Sequence, residues 1–202
     1  MKVSLEPATI YLALSATATR NNRALTPFTD TLTIKVHSDT RIFAQTRYFA
    51  PNGEQIGRGP LPPKVGEKTT YWLYFKVDNT LNTIENAVLT IRFAPTGVGW
   101  TGRTSTSTGS DFLFDPFLQV TSWVLGTIPA NRGFTQEAPT SALEVYVVPA
   151  PSMRGAIPLI LKDMVLSGKD SFTGALLERR YGVLDADLRS DEQGKALGFT
   201  IK

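Results

Sequence analysis

Residues 59–93 read GPLPPKVGEKTTYWLYFKVDNTLNTIENAVLTIRF, and the second half of this stretch decides the fold. Tyr71, Leu73, Phe75 and Val77 alternate with Trp72, Tyr74, Lys76 and Asp78. After Asp78-Asn79-Thr80, a second run sets Ala87, Leu89, Ile91 and Phe93 against Val88, Thr90 and Arg92. Side chains of a strand switch face at every residue, so each run carries one apolar row. Two such rows facing the same way, joined through the turn, form half of a sandwich core.

The same pattern continues outward. Thr, Val, Phe and Tyr fill alternating runs, and no long 3.6-residue periodicity occurs. Turn residues recur at short intervals, among them Asn52-Gly53, Asp78-Asn79, Thr108-Gly109-Ser110, Asp115-Pro116, Asn131-Arg132-Gly133 and Thr173-Gly174. Strands are expected over 2–6, 9–20, 29–36, 42–49, 68–78, 87–93, 99–103, 112–114, 118–125, 143–148, 157–167 and 176–184. Short strands so spaced define an all-β protein, an Ig-like antiparallel β-sandwich. The segment GRGPLPP at 57–63 is stiff and short of N–H donors, so it reads as a crossover between sheets or an entry strap, not a flexible linker. The Ser/Thr/Gly-rich stretch at 101–110 reads as a mobile loop.

An internal echo sets the domain organisation. Near the start stand VSLEP (3–7), LSATATR (14–20) and FTDTLTIKVHSDTR (28–41); near the end stand VYVVP (145–149), LSGKDSFTG (166–174) and LLERRYGVLDADLR (176–189). The elements follow in the same order at an offset of roughly 145 residues, which suits one sandwich per repeat. Residues 1–41 accordingly read as the C-terminal strands of a preceding, incomplete sandwich copy. Residues 42–190 read as one complete copy that folds without them, and 191–202 as an exit linker or the start of a next element. Strands lacking their partners cannot bury both faces. The N-terminal sheet is therefore expected to leave Ile10, Leu12, Leu14, Leu32 and Ile34 open unless it packs on the complete copy.

Composition narrows the function classes. The 202 residues are 42% hydrophobic and 19% charged, the balance of a globular chain. Lys plus Arg number 21 against 18 acids, a net charge of only +3, and no dense basic block occurs, so no nucleic-acid partner is expected. Cysteine is absent, which excludes disulfides and thiolate metal sites. The opening MKVSLEPATIYLALSATATR is interrupted by Glu6 and Pro7 and fits strands better than a secretory leader. No run is long enough for a membrane helix. An export signal or anchor, if there is one, is expected outside this chain.

Four blocks carry a family resemblance: residues 59–71 with their PPKVGE, the turn at 79–86, Pro95-Thr96-Gly97-Val98-Gly99-Trp100-Thr101-Gly102, and Ser122-Trp123-Val124-Leu125-Gly126-Thr127-Ile128-Pro129-Ala130. Together they resemble the DUF11-type conserved repeat domain, an Ig-like module of bacterial and archaeal surface proteins. They are most similar to its versions in membrane-anchored proteins of candidate-phyla bacteria. The likeness covers about residues 59–150 and is looser on the flanks. Asn131-Arg132-Gly133 departs from the Gly that often follows Pro-Ala in the family, which affects only that loop. The family has no established activity to carry over. What the resemblance implies is an extracellular or cell-surface location, neighbouring repeats of the same polypeptide as partners, and a structural or adhesive role as a rigid spacer without catalysis.

Read as residues, the motif positions are architectural. Gly66 and Gly126 suit sharp turns or close strand approach. Tyr71, Leu73, Phe75, Leu89, Ile91 and Leu125 fill apolar rows, Trp100 and Trp123 are large enough to plug a sandwich, and Pro129 ends the strand that carries Trp123.

Chemistry-bearing candidates are few. The single histidine, His37, neighbours Ser38 and Asp39, but a triad is assembled from separate loops and no G-x-S-x-G occurs, so a surface role is expected. Asp111 and Asp115 bracket Phe112-Leu113-Phe114, while Glu85, Glu137 and Glu144 are scattered, and no cleft for a glycosidase pair is suggested. Calcium is the one cofactor with candidate ligands, Asp185, Asp187 and Asp191 with Glu192, although their spacing is not that of an EF-hand and a polar linker explains them as well. An isopeptide cross-link would draw on Lys76 or Lys162 and Asn79 or Asn86, but Lys76 should point outward. The alternative to a spacer is a module that binds a glycan or a surface protein through loops at one end of the sandwich; a hydrolase comes third. Exposed aromatics along a groove, from among Tyr48, Phe49, Trp72 and Tyr74, would favour binding. Truncating Phe75 or Trp123 to Ala is expected to cost about 3–5 kcal/mol in urea denaturation, a large part of an ordinary domain's stability.

Overall fold

The computed structural model describes residues 8–16, 18–21, 23–24 and 28–202; the strand expected over 2–6 lies outside the described residues. In chain order the strands are β1 (Thr9–Ala16), β2 (Thr19–Arg20), β3 (Arg23–Ala24), β4 (Phe28–Lys35), β5 (Thr40–Arg47), β6 (Thr69–Asn79), β7 (Ile84–Phe93), β8 (Val98–Thr106), β9 (Phe112–Asp115), β10 (Val120–Ile128), β11 (Thr140–Val147), β12 (Leu159–Asp170), β13 (Leu176–Tyr181) and β14 (Leu184–Asp185), followed by a short helix, α1 (Glu192–Leu197). One sheet has the order β5-β6-β11-β8; the other has the order β13-β12-β7-β10-β9, with β14 beside β12. All pairings within them are antiparallel. The protein is an all-β sandwich.

The two rows of the central stretch do not lie side by side. β6 belongs to the four-stranded sheet and β7 to the larger one, so residues 80–83 cross the end of the sandwich instead of making a hairpin. Tyr71, Leu73, Phe75 and Val77 thus face Ala87, Leu89, Ile91 and Phe93 from opposite layers, and all eight are buried. Alternation fixes which face a side chain takes; it does not choose the strand's partner. Leu143, Val145 and Val147 of β11 and Ile160, Leu161, Met164 and Leu166 of β12 complete the core. Near its middle, Phe112 sits 6.4 Å from Phe75 and 6.0 Å from the fully buried Trp123, ring centre to ring centre. Gly126, at φ +69°, is the residue at which β10 slips register against β7, a bulge that a side chain would strain.

The sandwich begins earlier and ends later than the sequence reading placed it. Thr40 and Arg41 already pair with Asn79 and Asp78 in β5, and Ser38 is buried, so the boundary falls near residue 37 and not at 41. Residues 191–202 are not a linker. Asp191 caps α1 through the Gly194 amide, and Lys202 exchanges backbone hydrogen bonds with Pro63 and Val65. The stretch 101–110 is largely strand β8, pinned beyond its end by Ser107 N to Thr140 O at 2.9 Å and Ser110 N to Val124 O at 3.1 Å.

Ahead of the sandwich, β1 and β4 form a two-stranded ribbon, with β2 and β3 paired beyond it. Its register sets Ile10 across from Ile34, Leu12 from Leu32 and Leu14 from Asp30. Those five apolar side chains share one face and are 40–71% exposed. The ribbon meets the sandwich at its base, where Lys35 Nζ donates to the Phe172 carbonyl and the Asn82 amide donates to Val36 O at 2.9 Å. A chain starting at Val36 is expected to melt like the whole protein. A chain starting at Ile42 loses Ser38 and Thr40, leaves Asn79 and Asp170 short of partners, and is expected to lose about 2 kcal/mol or more; urea melts of the two distinguish the boundaries.

Candidate functional site

The three acids weighed as calcium ligands are not gathered into one site among the described residues. Asp191 is buried, and one of its oxygens accepts the amides of Tyr48 and Phe49, both at 2.7 Å, while the other accepts Gly194 N at 2.8 Å. It therefore anchors the end of β5 to α1. Asp185 accepts the Asp187 amide, and Asp187 pairs with Arg189. Asp185 and Asp187 border a cavity of about 330 Å³ beside β5, but Asp191 does not join them there. No group of three or more His, Asp or Glu is placed to hold a metal among the described residues.

The other polar candidates serve turns. Asp111 accepts the Thr104 hydroxyl at 2.6 Å, and Asp115 accepts the amides of Phe117 and Leu118, so the two acids do not converge. Lys76 points outward to Asp78 at 3.1 Å and lies over the Phe43 ring, as its place in β6 predicts. The Asn79 amide is fully engaged in the sandwich end, away from that lysine. Gly66, at φ +75°, turns the strap so that its amide reaches Pro149 O at 2.9 Å. Trp100 packs on Phe114 at 5.4 Å where the two sheets meet.

Sequence reasoning missed the polar closure of the sandwich end. Asp170, buried at the end of β12, accepts Ser38 N at 2.9 Å, Asn82 Nδ2 at 2.8 Å, Phe172 N at 3.0 Å and Thr173 N at 2.9 Å. Burial by itself would raise its pKa. The hydrogen bonds from Asn82 and from the amides of Ser38, Thr173 and Phe172 outweigh burial and hold it at about 2. His37 is exposed beside this cluster, with Nδ1 3.1 Å from the Thr173 hydroxyl and 3.9 Å from Asp170. The clue in the sequence was an Asp closing a strand immediately before Ser-Phe-Thr-Gly, an arrangement suited to capping a turn.

The outer face of the β5-β6-β11-β8 sheet holds the most site-like geometry. Trp72 and Tyr74 project outward from β6, across from Glu144 and Ala142 of β11 and from Arg47 and Gln45 of β5. Tyr48 and Phe49, the other two aromatic candidates, are buried. A groove of about 280 Å³ runs beside Trp72 and Tyr74, floored by Ala142 and Ser105 and walled by Arg103 and the loop carrying Gln55 and Arg58. Glu144 lies buried at its head. It accepts the hydroxyls of Thr101 at 2.9 Å and Thr70 at 3.2 Å and pairs with Arg103 at 3.4 Å. The Arg103 guanidinium in turn lies 5.5 Å from the Trp72 ring centre. Burial pushes the Tyr74 phenol upward in pKa, and Arg47 opposes it. Two large aromatics on the solvent row of β6, and a Glu inside the apolar run LEVYV, were the traces of this site in the sequence.

No family model matches the chain. No curated protein matches it either. Among solved structures, it is similar to the major pilin subunit BcpA of Bacillus cereus, at 9% identity and a TM-score of 0.44, over 76% of this chain and 44% of that one. It is also similar to the C-terminal domain of the AgI/II polypeptide BspA of Streptococcus agalactiae, at 8% identity and a TM-score of 0.39, over 92% and 61%. A DUF4466 family protein from Parabacteroides merdae follows at 14% identity and a TM-score of 0.29, over 72% and 44%. The chain spans less than two thirds of the length of each. At TM-scores under 0.5, these likenesses assign nothing to it. No helix among the described residues is long and apolar enough to cross a membrane.

The closure makes stability acid-sensitive in a defined window. Because the pKa of Asp170 is depressed in the fold, its contribution is fully present above the ordinary value of 3.8 and is lost as pH falls toward about 2. The shift corresponds to about 2 kcal/mol. Melting temperature should fall across that interval, and Asp170→Asn should be less stable at neutral pH and show a flatter acid limb.

Proposed function

We propose that the chain is a structural, adhesive-type module of a repeat-containing cell-surface protein, a rigid spacer that performs no catalysis. The observation that carries this reading is that Ser38, ahead of β5, and Lys202, beyond α1, lie at opposite ends of the sandwich. Ser38 enters beside Asn79, at one end of β6, while Lys202 pairs with Pro63 and Val65 beyond its other end. The polypeptide therefore traverses the long axis of the sandwich, about 35 Å at the usual rise of a strand of this length. A module strung this way adds its full length to a stalk.

The ribbon supports the repeat. β12 and β13 place Met164 and Leu166 on the face shared with Tyr181, and in the complete sandwich Met164 and Leu166 are buried. β1 and β4 place Leu12 and Leu14 on the face shared with Leu32 in the same antiparallel arrangement, with no layer over them among the described residues. The ribbon is thus read as the closing hairpin of a preceding copy, and residues from about 37 onward as the next one. The surface location rests only on the resemblance of residues 59–150 to the DUF11-type repeat.

Single-molecule stretching between a handle at His37 and one at Lys202 tests the spacer. The expected record is one abrupt, cooperative unfolding event. A sandwich that lengthens gradually under low load, with no force peak, cannot hold anything at a distance and would overturn the reading.

A further inference from the structure

The groove on the outer face of the four-stranded sheet is not needed to close the core. We propose that it binds a saccharide chain bearing carboxylates, with Trp72 and Tyr74 as the stacking platform and Arg58 as the contact for the carboxylate. The proposal stands apart from the spacer reading, since a stalk that binds nothing here is still a stalk.

Shape comes first. Trp72 and Tyr74 are two residues apart on one strand, so their side chains rise from the same face about 6.6 Å apart along it. Beside them, Ala142 and Ser105 are small, which leaves a trough open along the sheet. At about 280 Å³ it admits one or two sugar rings in a row and is far too narrow for a helix. A globular partner would need about 800 Å² of contact, which the loop wall at Gln55 and Arg58 obstructs.

Chemistry comes second. A pyranose ring has a flat C–H face that lies on an aromatic ring, and a rim of hydroxyls that bond to planar polar side chains. The trough offers both, with Gln55, Glu54 and Ser105 at its rim. Charge decides the class of sugar. Arg58 and Arg103 line the groove together with one carboxylate, Glu54 at the rim, and Arg47 stands across from Trp72 on β5. Arg103 is neutralised by Glu144, and Arg47 donates to the Phe49 carbonyl. Arg58 forms no ion pair among the described residues, and its fork is free to take a carboxylate in two parallel hydrogen bonds. A neutral sugar would leave that guanidinium unused, and an acidic peptide would leave the two rings without a flat face to stack on.

Titration of the full chain, followed by tryptophan fluorescence and calorimetry, tests this with three acidic probes (trigalacturonate, a hyaluronan tetrasaccharide and sialyllactose) against neutral lactose and a tri-glutamate peptide. At least one acidic saccharide should bind saturably, with affinity about tenfold above lactose and the peptide. That affinity should weaken in about 0.5 M salt, where exposed charge is screened. Trp72→Ala and Arg58→Gln should each lower it about tenfold. Arg58 is exposed, so Arg58→Gln should leave the melt unchanged and carries the test even if Trp72→Ala unfolds the chain. Three results overturn the proposal: no saturable binding of any acidic saccharide up to about 10 mM, an affinity unchanged in Arg58→Gln, or tri-glutamate binding as tightly as the best saccharide, which would assign the groove to an acidic peptide.

Discussion

Asn79 ties the two layers together at one end of the sandwich, and much of the remaining architecture depends on it. It closes β6, is fully buried, and has five side-chain partners: its two N–H groups are shared among the carbonyls of Asn82, Ile128 and Pro129, and its oxygen accepts from the hydroxyls of Ser38 and Thr40. An amide in that position without partners would cost several kcal/mol. The crossover can therefore lie only where these segments converge. Ser38 and Thr40 come from the entry to β5, Asn82 from the crossover itself, and Ile128-Pro129 from the end of β10. One side chain thus fixes the relative placement of strands from both sheets. Asn82 extends the arrangement to Asp170, so β12 is held by the same network.

Such a closure makes the boundary of the sandwich a matter of polar satisfaction as much as of apolar burial. Nothing in the oily rows distinguishes residue 37 from residue 41 as the first of the domain. Ser38 does, because its amide and hydroxyl are partners that Asp170 and Asn79 cannot replace from elsewhere. The same logic applies at the tail. α1 is too short to be stable by propensity. It forms because the Asp191 carboxylate already binds the turn after β5 and then offers its second oxygen to the first turn of the helix.

This explains which features were legible in the sequence. Period-two alternation located β6, β7, β10, β11 and β12 and their buried rows, because a strand's two faces are a local property. The partner of a strand is not local, and so β6 and β7 were read as neighbours when they face each other. Asp185, Asp187 and Asp191 looked like a cluster because they are close in sequence, but carboxylates gather around whatever donors the fold presents, and here Asp191 meets three amides. Trp72 and Tyr74 were readable as solvent-facing from their parity alone. The groove beside them was not, since its floor comes from Ala142 and Ser105 on two other strands and its wall from the loop before β6.

The two outer faces of the sandwich are unlike. A spacer asks only that its outer faces be soluble. The larger sheet carries Thr90, Arg92, Ser122, Ser167 and Arg180 on its outer face, the last paired to Asp163 and Glu178, together with half-buried Val88, Val124 and Val165 and the exposed Leu113. The four-stranded sheet instead sets Trp72 and Tyr74 at its middle and buries Glu144 beneath Arg103. Burying a carboxylate on an outward-facing row is costly unless its partners are held in place. Thr70 is held by β6 and Thr101 and Arg103 by β8, on either side of β11, and the effect is to fix a guanidinium against an indole in one geometry. Solubility alone would be served more simply by threonine and lysine. The result is a rigid, preorganised aromatic and cationic surface on one face of the sandwich, where the other face sets valines and Leu113 among its polar side chains.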